Sequence, residues 1–534
     1  MNADLWYKNA VFYELSVRSF YDSNGDGRGD LRGLSEKLDY LRYLGVDCIW
    51  IMPIYPSPLK DDGYDIADYY GVDPAYGTPA DLKQCIDAAH ARGIRIIIDL
   101  VLNHTSDQHP WFLSARSSRN SPYRDYYVWS DTDRKYEEAR IIFVDSEASN
   151  WTWDEQAGQY YWHRFYSCQP DLNFDNPKVQ DEMLRVARHW LDMGIDGLRA
   201  DAVPYLFERE GTVCENLPET HGYLKRLRRL IDESYPGCIL LCEANQWPQD
   251  ARTYFGEGDE FHMAFHFPLM PRIFMALRRG EAEPIRWVLE QTPSIPSSCQ
   301  WCTFLRNHDE LTLEMVTPAE RDWMWQAYAP EPQMRLNLGI RRRLAPLLEG
   351  DERKIRLANS LLFTLPGAPI IYYGDEIGMG DNLNLFDRNG VRTPMQWDSS
   401  LHAGFTSGLP FTELVQGDRG PENVNVAAQM GNPDSLLHAT RRMIAVRKRQ
   451  AAFSNSEIDF VESGNPKTAA YVRRQADQAV LVLCNLDSRS QSVSIPIPYR
   501  KRCKELLTET TRSLAAEMTL EPYTYLWLQL PHAA

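Results

Sequence analysis

From Ala10 to about Gly378 one theme recurs: a short β-branched or aromatic run, a loop, then an amphipathic stretch that closes near a glycine. Short continuous apolar runs predict strands, and apolar positions three and four residues apart predict the helices between them. The strands predicted in this way are Val11 to Val17, Cys48 to Met52, Ile94 to Leu100, Gly197 to Asp201, Cys238 to Glu243, Phe261 to Phe267, Cys302 to Arg306 and Pro369 to Tyr373. Helical patterns such as Leu34 to Leu44, Leu82 to Arg92, Val179 to Met193 and Tyr223 to Ser234 are long enough to be crossovers between parallel strands. Eight strands with crossovers predict an α/β fold, a (β/α)8 TIM barrel.

Two segments break the rhythm. Asn103 to about Cys168 is rich in Trp, Tyr, Asp and Ser, shows no clean helix, and is too long for a bare loop, so it predicts a small inserted domain after strand 3. A second long insertion, about Leu311 to Leu348, follows the seventh strand. After a helix predicted over Ser435 to Ala452, the tail alternates as strands do, at Ala479 to Cys484, Gln491 to Ile497 and Tyr523 to Leu530. That alternation predicts a C-terminal β-sandwich domain. The expected division is a barrel over 1–102 and 169–453, an inserted domain over 103–168, and a C-terminal domain over 454–534.

Composition changes this picture little and charge changes it more. An apolar fraction of 43% and a charged fraction of 25% are ordinary globular usage. A net charge of -17 repels phosphate backbones and anionic lipid, which argues against nucleic acid and membrane partners. No apolar run nears the ~20 residues that cross a bilayer, and Met1 to Phe12 lacks the pattern of a secretory leader, so a cytoplasmic location is expected. The ten cysteines are scattered, and the C-x-x-C of Cys299 to Cys302 has no second pair, which predicts free thiols rather than a zinc site.

A barrel gathers its chemistry at the C-terminal ends of its strands. Arg199 and Asp201 are two apart on the fourth strand and share a face; a cation there favours the ionised carboxylate that a nucleophile requires. The fifth strand is apolar until Glu243, and an apolar wall raises a carboxyl pKa as a general acid requires. The seventh leads into Asn307, His308 and Asp309, and the third into Asn103 and His104. Each alone is equally well a cap or a structural ion pair; four strand ends of one character predict a catalytic rim.

DLVLNH at Asp99 to His104, GLRADAV at Gly197 to Val203, the Glu243 of LLCEANQWP, and FLRNHDE at Phe304 to Glu310 resemble, in order and spacing, the four signature regions of the α-amylase superfamily, glycoside hydrolase family 13. The resemblance implies Asp201 as nucleophile, Glu243 as general acid/base and Asp309 as the transition-state carboxylate, with Tyr64, Asp65, His104, Arg199 and His308 lining a glucose pocket. QPDLN at Gln169 to Asn173 and RTPMQW at Arg392 to Trp397 resemble the branch that handles small α-glucosides. Within it, the segments Pro204 to Lys225, Glu243 to Pro248, His308 to Thr317 and Asn337 to Asp351 are similar to the members that interconvert maltose and trehalose. That likeness implies an enzyme that moves a glucosyl unit within one disaccharide by two displacements in a closed pocket, with minor hydrolysis. It also implies lid residues Arg140 and Glu314, with Asn245 beside the acid. Arg392, or alternatively Arg388, is expected to meet Asp65 at the non-reducing end. A hydrolytic α-glucosidase or oligo-1,6-glucosidase shares the same triad, and an inactive amylase-like scaffold is the alternative of another class.

The run Asp22-Ser23-Asn24-Gly25-Asp26-Gly27-Arg28-Gly29-Asp30 sets oxygen ligands at alternate positions, like the opening of an EF-hand loop, but Gly33 stands where the bidentate Glu belongs. The expectation is a Ca²⁺ or Mg²⁺ loop with Asp22, Asn24, Asp26, the Arg28 carbonyl and Asp30, against the alternative of a tight Asp/Gly turn. The family resemblance implies a second, structural Ca²⁺ at Asn103, Asp171, Glu208 and the carbonyls of Tyr205 and Leu206. The expected partner is a disaccharide; a homo-oligomer and a maltose kinase partner stay open.

Overall fold

A computed structural model describes residues 3–531; residues 1–2 and 532–534, at the outer ends of the expected ranges 1–102 and 454–534, lie outside the described residues. Eight parallel strands close a barrel: β1 (Phe12–Leu15), β2 (Cys48–Ile51), β3 (Arg95–Val101), β4 (Gly197–Asp201), β5 (Ile239–Cys242), β6 (Met263–Phe265), β7 (Gln300–Phe304) and β8 (Ala368–Tyr372). Each strand pairs with its neighbours in sequence, and β1 pairs with β8 to complete the ring. Nearly every strand residue is buried, because helices cover the outside and side chains fill the inside.

The crossovers form where the apolar spacing places them. The helix Leu31–Leu44 buries Leu31, Leu34, Leu38 and Leu41; Asp30 caps its start by accepting from the Gly33 amide, and Gly45 ends it at φ 99°. Pro79–His90 begins with a capping box between Thr78 and Asp81. β1 is shorter than its apolar run, because Val17 opens the one-turn helix Val17–Phe20.

The 103–168 stretch has a three-stranded sheet of Trp129–Ser130, Gln159–Trp162 and Trp151–Asp154, and, against expectation, a helix over Pro110–Ser117. The second insertion has a helix at Pro318–Tyr328 and a small sheet of Leu311–Thr312, Gly339–Ile340 and Arg335–Leu336. The tail has a six-stranded antiparallel sheet and a two-stranded one, Gln491–Ser494 with Glu517–Leu520. Val472, Leu481, Leu483, Val493, Ile495, Leu520 and Leu528 form a core between them. Among the described residues no helix is long and apolar enough to cross a membrane.

Candidate active site

The register of β3 on β4 sets Asp99 beside Arg199 and Val101 beside Asp201, so the charged side chains of both strands meet inside the barrel mouth. Arg199 is fully buried and touches three carboxylates. It bonds Asp99, lies 2.6 Å from Asp201 Oδ1, and forms an ion pair with Glu243 Oε1 at 2.7 Å. Trp50 Nε1 donates to the far oxygen of Asp99 at 2.8 Å, which fixes the base of the cluster.

The carboxylates are unequal. Burial raises Asp201 to about 6, with Arg199 opposing the rise, so it is largely ionised at neutral pH. Burial raises Glu243 further, to about 8, with Asp201 and Asp309 adding to it, so it is largely protonated. Asp309 is depressed: burial opposes its ionisation, but His308, Arg388 and Arg392 overcome it. His308 is itself driven toward the neutral form by burial, so the two arginines, at 2.8 and 3.1 Å from Asp309 Oδ1, carry that effect. One ionised carboxylate, one protonated and one held by arginines is the arrangement a retaining glycosyl transfer uses.

These groups open into a cavity lined also by Tyr64, His104, Phe267 and Asn307. Tyr64 and His308 form one wall, stacked at 5.2 Å and 9°. His308 is held from behind by Glu14, whose Oε1 is hydrogen-bonded to its Nδ1 at 2.5 Å. His104 lines the cavity with a neutral ring, lowered to about 3 by burial, and its buried Nε2 has no partner within the protein. Ile142, Phe143 and Phe165 reach over from the inserted segment as an apolar ceiling.

At the rim Arg140 Nη1 meets Glu314 at 3.2 Å, and Asn245 Nδ2 donates to the same carboxylate at 2.7 Å. All three residues expected at the lid therefore come together. The expected contact of Asp65 with Arg392 or Arg388 does not form. Asp65 is fully buried and accepts from Ser57 Oγ and from the amides of Lys60 and Asp61. Asp61 instead faces the cavity and bonds Arg388, while Arg392 meets Asp62 at 3.3 Å. The reason is the turn at 59–63, where Leu59 and Asp62 adopt positive φ and swing Asp61 inward. Sequence reading passed over Asp61, Ile142, Phe143 and Phe165; Asp61 is in the same KDDGYD run as Tyr64, and Ile142 and Phe143 stand two and three positions after Arg140.

Among the described residues no three Asp, Glu, His or Cys side chains converge as a metal cluster. In the loop 22–30 the expected ligand oxygens are taken by the loop itself. Asp22 accepts from the amides of Asn24, Gly25 and Gly27 and from Thr406; Asn24 accepts from Asp26, Asp26 from Arg28, and Asp30 from Ser23 and Gly33. These hydrogen bonds give the loop the form of a tight Asp/Gly turn. The second set differs. Asp171 Oδ2 and Glu208 Oε1 are buried without a partner. Burial pushes Asp171 to about 8 and Glu208 well up, and Asp171 is the largest charge acting on Glu208. Two adjacent buried carboxyls with free oxygens, beside Asn103 and the turn of Tyr205 and Leu206, fit a hard cation.

The family described as "Alpha amylase, catalytic domain" matches residues 15–328 and 340–456, and "Maltogenic Amylase, C-terminal domain" matches 458–527. The chain is 54% identical to a trehalose synthase of Pimelobacter sp., across 98% of this chain and 96% of that protein. It is 58% identical to a trehalose synthase/amylase of Mycolicibacterium smegmatis, across 92% and 86%. Among solved structures it resembles the trehalulose synthase MutB of Pseudomonas mesoacidophila, with a TM-score of 0.81 and 29% identity over 98% of this chain and 99% of that one.

Proposed function

The chain belongs to the α-amylase family, and we propose that it interconverts maltose and trehalose by moving one glucosyl unit between two positions on a glucose that never leaves the pocket. The observation that carries this reading is the joint one of two unequal carboxylates, Asp201 and Glu243, on Arg199, a third, Asp309, held by Arg388 and Arg392, and a rim bridged by Arg140, Asn245 and Glu314. High identity to proteins named trehalose synthase supports it.

Asp201 attacks the anomeric carbon from below as Glu243 gives its proton to the bridging oxygen; the C–O bond breaks and a β-glucosyl ester forms. Arg388 and Arg392 keep Asp309 charged, so it stabilises positive charge developing on the sugar ring. Tyr64 and His308, stacked on each other, wall the site of the glucosyl ring, and the unpartnered Nε2 of His104, with Asp61 and Arg388, takes its outer hydroxyls. The released glucose turns, and Glu243, now ionised, takes the proton from its anomeric hydroxyl. That oxygen attacks the ester carbon and frees Asp201. Two inversions restore the α configuration. Water that enters in place of the glucose oxygen yields two glucoses, so the closed rim favours isomerisation over hydrolysis.

Incubation of the protein with maltose, with products resolved by NMR, tests the reading: trehalose is expected as the main product, and glucose alone would reject it. Asp201→Asn is expected to abolish both products, which an inactive scaffold would not register.

A calcium ion at Asn103, Asp171, Glu208 and the carbonyls of Tyr205 and Leu206 is part of the proposal; it supplies charge compensation and no chemistry, tying the inserted segment to the turn after β4. Chelation is expected to cost about 2–3 kcal/mol of stability, the linkage of an ion held near a hundredfold over its dissociation constant. Melting in EDTA and in added Ca²⁺ checks this, and Glu208→Gln should remove the difference. A second bound ion per chain in a direct metal assay would assign the loop of Asp22 to Asp30. Ten free cysteines support a reducing, cytoplasmic compartment.

A further inference from the structure

Behind the rim, outside the reacting groups, stands Glu215. Its side chain is 8% exposed, and both oxygens are taken. Oε1 accepts from Arg140 Nε at 2.8 Å and from Arg164 Nη2 at 2.9 Å; Oε2 accepts from Gln246 Nε2 at 2.9 Å. These donors come from separate parts of the chain: Arg140 and Arg164 from the inserted segment, and Gln246 from the loop three residues past Glu243. The backbone is bent to deliver this carboxylate, for Cys214 and Asn216 on either side adopt φ of 53° and 57°, a region that non-glycine residues rarely occupy.

The way Arg140 divides its donors gives the carboxylate a role. Nε is spent on Glu215, Nη2 reaches the Tyr205 hydroxyl at 3.2 Å and Glu215 Oε2 at 3.5 Å, and Nη1 projects to Glu314. A planar fork held along one edge presents its remaining nitrogen in a fixed direction, whereas a free guanidinium on a long stem samples many. Glu314 has a second anchor in Asn245, adjacent to the Gln246 that Glu215 also binds. Glu215 is therefore joined to both supports of the contact that closes the pocket.

We propose that Glu215 is a positioning residue that sets the partition between isomerisation and hydrolysis, by aiming Arg140 at Glu314 and by tying the loop of Asn245 to the inserted segment. This rests on the reading that the rim excludes water from the glucosyl ester.

The test is the ratio of trehalose to glucose formed from maltose, which is independent of how much active protein is present. Glu215→Gln keeps the shape and removes the charge; it is expected to lower the ratio about fivefold, a typical coupling between adjacent groups. Glu215→Asp, which keeps the charge, is expected to restore it to within about twofold. A role confined to stability would slow both products together and leave the ratio unmoved, and that result overturns the proposal. Glu314→Gln is the comparison: if it shifts the ratio and Glu215→Gln does not, Glu215 is excluded while the rim reading stands; if neither does, the rim reading itself fails. Should Glu215→Gln lose its melting transition, Gln246→Met carries the test, with a lowered ratio expected and an unchanged one overturning the proposal.

Discussion

Arg199 binds three carboxylates at once, and the site's pH behaviour follows from how unequally they share it. Turnover needs Asp201 ionised and Glu243 protonated, with the first raised to about 6 and the second to about 8. Activity should rise with pH as Asp201 loses its proton and fall as Glu243 loses its own, giving a bell in kcat/KM with limbs near those values. The limbs belong to the pair rather than to either residue, because each charge shifts the other. A profile flat from pH 5 to 9 would show that the two carboxyls do not hold these opposite states. The two-residue spacing of Arg199 and Asp201 and the apolar run before Glu243 made this cluster legible in the sequence. Asp61 was not legible, because its place depends on positive φ at Leu59 and Asp62, which no hydrophobic pattern encodes.

At the scale of elements, the nucleophile's position depends on how closely β4 approaches β5. Gly197 opens β4 opposite Ile239, and a Cβ there would stand 2.5 Å from the Ile239 carbonyl oxygen and 2.7 Å from its Cγ1. Backbone cannot yield as a flexible side chain does, so Gly197→Ala should force the strands apart. A cost of about 1–3 kcal/mol is expected, the range for overpacking a close-packed interior. Because Arg199 and Asp201 ride on the same strand, kcat should fall as well; denaturant unfolding and maltose turnover on one preparation would read both. Retained stability with lost activity would point to a direct effect on the site, and no change in either would refute the packing argument. Apolar runs located all eight strands, yet the sequence showed no clean helix where Pro110–Ser117 forms. That helix is capped by His109, whose Nδ1 accepts from the Trp111 amide, and histidine is outside the usual set of cap residues.

Over the whole molecule, the C-terminal sheet is more than an appendage. One face makes its own core, but the other, with Tyr471, Val480, Val482 and Trp527, belongs to the same continuous core as the barrel. Trp527 is fully buried, donates from Nε1 to Ser360 Oγ at 2.8 Å, and packs edge-on against Phe453 at 5.5 Å. A buried arginine of the tail crosses the junction, Arg473 donating to the carbonyl of Thr364 at 2.5 Å, and beside it the barrel's own Arg447 donates to the carbonyls of Phe363 and Gly367 at 2.6 and 2.8 Å. All three acceptors are at the end of the helix Glu352–Thr364 or just beyond it, immediately before β8. Loss of the tail would strip that helix end of its covering and leave the guanidinium of Arg447 facing water in a site built to exclude it. The barrel and tail should therefore unfold in one calorimetric transition, with maltose turnover lost at the same temperature. Trp527→Ala, expected to cost about 3–5 kcal/mol as large aromatic truncations in cores do, should lower that single transition as a whole. If the variant instead splits the melting curve, with the tail lost first and an active barrel remaining, the shared core does not couple the two parts, and the tail's strands contribute only to their own fold.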